Sequence, residues 1–282
     1  MGYSYPEESL IQIRIFKASL EELKLQNLTE EQFRQLIHKV FALQSKDHTL
    51  LVIVDVPNDL VPDTEIWKDR RVLANEWKEI LQKTKAELGL QGVEIIYYEN
   101  VGSNNADLPV KAYQWQGDPR AVDISLLVSE GSSLGFEELL SRADIILAPT
   151  QFSATAPLKV LAKKHNFRAA TMPGFSRAMI PALGIDYEKV HEQVMKIKSR
   201  LDEAVGIELN FKVKNLDYHL FVDLRHRQAH ASSGLLREAG VAGNLPSGEA
   251  YIVPYEGELA EESKTAGPLP VHFGDEVVVY KI

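Results

Sequence analysis

Leu50-Leu51-Val52-Ile53-Val54-Asp55-Val56 is the stretch on which the fold of this chain turns. An almost unbroken apolar run has no side to give to water, so it predicts a strand covered on both faces. That is the mark of a parallel sheet whose crossover helices lie over each side. Ala143–Ala148, stopped by Pro149, reads the same way. Val93–Tyr98 and Arg168–Met172 supply two more strands, the second ending in a Pro173-Gly174 turn. Helices are expected between them. Thr29–Leu43 has Thr29 as a cap, Gln32 three residues on as its capping-box partner, and Phe33, Leu36, Val40 and Leu43 along one face. Ile66–Leu88 reads as a helix stopped by Gly89. Gly135–Ser141 and Leu158–His165 are shorter helices, and Tyr187–Ala204 is a long amphipathic one with Val190, Val194, Ile197 and Leu201 in register. Ile124–Val128 reads as a short strand or the end of one. Leu10–Phe16 suits helix or strand, with helix preferred. Repeated strand–helix units of this length predict a doubly wound α/β domain with a mostly parallel sheet.

The texture changes after Gly206. Ile207–Val213 and Tyr218–Leu224 alternate about Lys214–Asp217, as a hairpin does, and Val277–Ile282 is another β-former. The expected division is therefore an α/β domain over 1–205 and the start of a second, β-rich domain over 206–282.

Bulk properties narrow the function. A net charge of −9 argues against nucleic acid or an anionic membrane surface as partner. With no cysteine in the sequence, thiol catalysis, disulfides and Cys-ligated metals are excluded, so a metal would need His, Asp and Glu ligands. Residues 1–9 lack the apolar core of a signal peptide, and no run is long enough to span a membrane, so a cytoplasmic location is expected.

The chemistry-bearing stretch is Gly243-Asn244-Leu245-Pro246-Ser247-Gly248-Glu249-Ala250-Tyr251-Ile252-Val253-Pro254. Pro246 and Gly248 suit a type I turn over Leu245–Gly248. A strand then follows with Glu249, Tyr251 and Val253 on one face, closed by Pro254. A stiff turn that presents one carboxylate at a strand mouth suits a metal ligand, but an exposed Glu is the norm, so residue type alone favours a solvated strand-end residue.

Asn-Leu-Pro-Ser-Gly-Glu before an apolar strand and Pro resembles the aminopeptidase T family of metallopeptidases. Ala148-Pro149-Thr150, Ala170-Thr171-Met172-Pro173-Gly174 and Asp186-Tyr187-Glu188 resemble segments of the same relatives. The resemblance implies a two-domain, dimeric aminopeptidase that removes N-terminal residues from a peptide substrate. It also implies two divalent ions (Zn, Co or Mn), with Glu249 as one metal ligand. The family's other ligands, a further Glu, a His and a His-x-Asp pair, lie well downstream of the motif, and no matching positions occur before Ile282. His272 follows the motif too closely to stand in for them. A truncated chain that lacks those ligands is therefore expected. Two other functions stay open: a non-haem-iron ring-cleaving dioxygenase of the dihydroxypyridine type, which resembles the same scaffold, and a non-catalytic α/β module.

Other candidates are weaker. Pro57-Asn58-Asp59 follows a strand but has no glycine, and no dinucleotide or Walker sequence occurs, so Asp59 is expected in a loop or cap. The Gly131–Gly135 stretch is either an anion loop or a plain entry into a helix. His226 and His230 would share a metal if the segment were helical, but the residues before them alternate like a strand. Ser153 and Thr155 have no triad pattern around them.

Overall fold

The computed structural model describes residues 27–274 and 276–282, so Leu10–Phe16 lies outside the described residues. The first helix, α1 (Glu30–Phe41), begins as its sequence requires. Gln32 N–H donates to Thr29 Oγ1 at 3.2 Å, and Thr29 N–H donates to Gln32 Oε1 at 3.0 Å. The helix buries Phe33, Leu36, Ile37, Val40 and Phe41, and ends at Ala42 in the left-handed region.

Next comes β1 (Thr49–Val56), in which every residue after Thr49 is buried. α2 (Glu65–Thr84) is capped by Thr64. It stops four residues before the expected Leu88, and a turn carries the chain to Gly89 at φ +74°. β2 (Gly92–Glu99) lies parallel to β1, with Leu50 opposite Val93 and Val52 opposite Ile95. β3 (Lys111–Gln114) and β4 (Ser132–Gly135) extend the sheet in antiparallel fashion. These strands are too short and too polar to show as strands in the sequence.

Between β3 and β4 the expected strand at Ile124–Val128 is instead α3 (Ile124–Glu130). Asp123 explains the difference: its carboxylate accepts the Leu126 N–H at 2.8 Å and so opens a helix. α4 (Phe136–Ser141) follows, with Gly135 at its N-cap. β5 (Ile145–Ala148), α5 (Thr155–His165) and β6 (Arg168–Thr171) complete a second strand–helix–strand unit. A 3₁₀ segment (Arg177–Gly184) leads into α6 (Tyr187–Glu203), whose N-cap is Asp186.

The remaining strands are β7 (Gly206–Val213), β8 (Leu216–Asp223), β9 (His230–Ser232), β10 (Ala242–Asn244), β11 (Glu249–Tyr251), β12 (Pro268–Phe273) and β13 (Glu276–Lys281). The hairpin expected about Lys214–Asp217 is present as β7–β8, and β12 pairs with β13.

The central sheet has the order β10-β6-β5-β1-β2-β3-β4, and β10, β6, β5, β1 and β2 are all parallel. This is the mostly parallel α/β sheet that the apolar runs predict. Its two faces carry separate cores. Val52, Val54, Trp77, Leu81 and Phe33 pack on one side, and Leu51, Ile53, Ile146, Leu158 and Phe136 on the other. Alternate residues of β1 feed both cores, which is why that strand is apolar throughout. Burying each of its Leu, Ile and Val side chains contributes about 1.5–3 kcal/mol, so the centre of the sheet is its best-determined part. β10 lies beyond residue 205, where the texture changes, yet it pairs with β6 on the edge of this sheet. That return sets the position of the stretch that follows it.

Candidate functional site

Each residue of Asn244-Leu245-Pro246-Ser247-Gly248-Glu249 has a separate structural task. Asn244 ends β10 opposite Thr171, and its Oδ1 accepts from Thr171 Oγ1 at 2.8 Å and Thr155 Oγ1 at 3.0 Å. Leu245 N–H donates to the Thr171 carbonyl at 3.0 Å, and the Leu245 side chain is buried in the core that contains Trp77. Ser247 Oγ donates to the Ser232 carbonyl at 2.8 Å. Gly248 lies against α6, where a Cβ would sit 3.2 Å from Val190 Cγ1. Glu249 then opens β11.

The expected type I turn is not formed. Residues 245 and 246 make a bend, and the Leu245–Pro246 peptide is cis. The strand is also shorter than expected, ending at Tyr251.

Glu249 is exposed and stands opposite Ser232 in the β9–β11 ribbon. Tyr251 stands opposite His230, and the two rings stack at 5.2 Å. Cross-strand partners share a face and alternate residues return to it, so Glu249, Ser232, Tyr251 and His230 all stand on one side of the ribbon. The structure thus brings His230 to the ribbon that carries Glu249 and leaves His226 elsewhere. His226 lies in the turn after β8 at φ +62°, with its ring 5.3 Å from Tyr255. No helix joins the two histidines, so the shared-metal spacing does not arise. His272 is on β12, paired with Val277. Among the described residues, no group of three or more His, Asp or Glu side chains is placed to hold a metal ion.

The remaining candidates fall into place as structure. Asp59 is an exposed loop residue. Ser132–Gly135 forms β4 and so is no loop cradle for an anion. Ser153 and Thr155 are linked by a 3.0 Å hydrogen bond, and Ser153 Oγ donates to Asn105 Oδ1 at 3.0 Å.

Sequence reasoning missed Asp55. In an open α/β sheet, ligands favour the crevice at the carboxyl ends of the strands where successive crossovers part to opposite faces. Here that place is the end of β1 beside β5, and the protein's own side chains fill it. Asp55 is wholly buried, and its carboxylate accepts Gln151 N–H at 2.7 Å, Phe152 N–H at 3.0 Å and Trp67 Nε1–H at 3.1 Å. Phe152 and Trp67 meet edge to face at 6.3 Å. Arg70, also buried, donates to the Gln151 side chain and to the Phe175 carbonyl, each at 2.6 Å. Burial raises the Asp55 pKa, and the two backbone N–H donors and Arg70 offset part of that rise. The one local clue was a carboxylate inside an otherwise apolar strand.

A second buried carboxylate, Asp223, organises the loops beside β8. It accepts from Arg225 Nε at 3.0 Å, Arg225 Nη2 at 2.8 Å and Lys264 N–H at 2.9 Å. The Arg225 guanidinium holds its pKa well below the usual carboxylate range. Arg225 and Arg227 also lie over the ring of buried Tyr255, at 5.5 and 5.8 Å.

No protein-family model matches the chain, and neither does any curated protein. Among solved structures it is similar in fold to the 2,5-dihydroxypyridine dioxygenase from Pseudomonas putida. The TM-score is 0.53 with 14% identity, over 91% of this chain and 66% of that one. AmpT (aminopeptidase T) from Thermus thermophilus aligns with a TM-score of 0.48 and 10% identity, over 94% of this chain and 70% of that one. At such identities the likeness shows the fold, a helix-flanked, mostly parallel sheet with small antiparallel ribbons, and not a shared reaction. The chain spans 66% of the dioxygenase's length.

Proposed function

We propose that this protein is a metal-dependent aminopeptidase in which Glu249 is one metal ligand. One observation carries the reading: the motif that resembles the aminopeptidase T family ends in an exposed carboxylate, on a segment anchored to the central sheet at Asn244 and to β9 at Ser247. A fixed, solvent-facing carboxylate is a group that a ligand can reach without rearrangement. The described residues alone do not fit two divalent ions, because Glu249 has no second and third ligand beside it. Zn, Co or Mn would need ligands from outside the described residues.

The rest of the reading follows from the same resemblance. The substrate is a peptide, the protein is a cytoplasmic homodimer, and the β-rich part after about residue 205 is the catalytic one. Among the described residues no helix is long and apolar enough to cross a membrane. The alternative is a non-haem-iron ring-cleaving dioxygenase, and the fold comparison gives no ground for choosing between the two.

Metal content and turnover separate them. The protein and its Glu249→Gln variant are assayed for bound Zn, Co, Mn and Fe by mass spectrometry, and for amino-acid release from unblocked peptides. Zn, Co or Mn together with release, both reduced in the variant, supports the aminopeptidase. Bound Fe with cleavage of dihydroxypyridine supports the alternative. Equal metal content and release in the two proteins would remove Glu249 from the site.

A further inference from the structure

Thr171 is wholly buried at the carboxyl end of β6, with three oxygen partners around its hydroxyl. These are Asn244 Oδ1 at 2.8 Å, Thr155 Oγ1 at 2.8 Å and the Gly243 carbonyl at 3.1 Å. Thr155, at the start of α5, reaches the same Asn244 oxygen at 3.0 Å. Asn244 Oδ1 thus lies within hydrogen-bond reach of hydroxyls from two different elements, the strand β6 and the helix α5. β10 is only three residues long and pairs with one neighbour, β6, so its backbone ladder alone is a weak anchor. Past Asn244, the Leu245 N–H bonds to Thr171, the Leu245 side chain enters the core and Ser247 ties to β9 before the chain reaches Glu249.

We infer that Thr171, acting through Asn244 and supported by Thr155, is the positioning residue that fixes the Glu249 segment on the α/β sheet. Two of the segments that resemble the aminopeptidase T family, Ala170–Gly174 and Asn244–Glu249, meet at this one hydroxyl. The β9–β11 ribbon gives Glu249 a neighbour and packs against α6, while Thr171 ties the chain that enters the ribbon to the sheet. The inference rests on the Glu249 reading for its functional meaning only; the joint itself is a matter of hydrogen bonds between named atoms.

The test is amide hydrogen exchange, followed by mass spectrometry, on the intact protein and on Thr171→Val, Thr171→Ser and Thr155→Val. Valine keeps the shape of Thr171 and removes its hydroxyl; serine keeps the hydroxyl. Thr171→Val should speed exchange over residues 242–251 by about tenfold, the scale expected for one to two lost hydrogen bonds. Exchange in β1 and β5 should stay unchanged. Thr155→Val should act in the same direction more weakly, and Thr171→Ser should restore protection. Unchanged exchange over 242–251 in Thr171→Val, faster exchange spread evenly over the whole sheet, or failure of serine to rescue would each overturn the inference. Exchange needs no metal and no turnover. A protein that responds as described but releases no amino acids from peptides with any metal keeps the joint and loses the aminopeptidase reading.

Discussion

Asp55 and Gln151 are 96 residues apart in the chain, yet the wholly buried Asp55 carboxylate accepts the Gln151 backbone N–H at 2.7 Å. This contact holds the loop after β5 down over the end of β1. With Trp67 and Phe152 it closes the crevice in which α/β sheets of this kind often take a ligand.

Asp55→Ala should therefore destabilise the protein by about 3 kcal/mol, since the buried Trp67 Nε1–H and the half-buried Gln151 and Phe152 N–H groups lose their acceptor. Urea unfolding of the two proteins at neutral pH checks this. A loss under 1 kcal/mol would mean that the loop settles elsewhere at little cost.

Asp55→Asn should cost least at neutral pH. Burial raises the wild-type pKa, so the folded state holds the Asp55 proton more tightly than the unfolded one. The stability from that proton is full below about pH 4 and is lost as pH rises through the folded pKa. Asparagine does not titrate, so the wild type's advantage over it should shrink from pH 4 to pH 7. Denaturant midpoints measured across that range that keep a constant gap would contradict the assignment.

Asp223 should behave in the opposite sense. Arg225 lowers its folded pKa, so its contribution is present above about pH 4 and is lost as pH falls below that. The wild type's advantage over Asp223→Asn should grow from pH 2 to pH 5 and then level. Thermal melts over that range decide, and a flat difference would show that the pair contributes nothing through charge.

Gly234→Ala should be among the most damaging small substitutions. Gly234 has φ +81°, and an added Cβ would stand 2.6 Å from Tyr187 Cε1. The left-handed backbone costs a non-glycine residue about 1–2 kcal/mol before the clash with the buried Tyr187 ring is counted. A drop of at least 2 kcal/mol in unfolding free energy is expected, against a smaller loss for Gly248→Ala, whose φ is not left-handed and whose added Cβ would only press Val190 Cγ1 at 3.2 Å.

By itself the sequence determined the elements whose cause is local. The Leu50–Val56 run could only be a strand covered on both faces, and the Thr29–Gln32 pair could only open a helix, because each pattern is complete within a few residues. Glu249 is exposed at a strand mouth, but the type I turn expected to present it is not formed. Ile124–Val128 was misread because its apolar run is too short to show a period, and the cap at Asp123 outweighs it. Tertiary structure alone decided the rest. It put Asp55 against residues 151 and 152, and it bound Thr171 to Asn244 across 73 positions. It also set His230 beside Tyr251 while His226 went to Tyr255. A buried hydrogen bond depends on where two distant backbones come to rest, and the crossovers that bring them together leave no mark on the residues at either end.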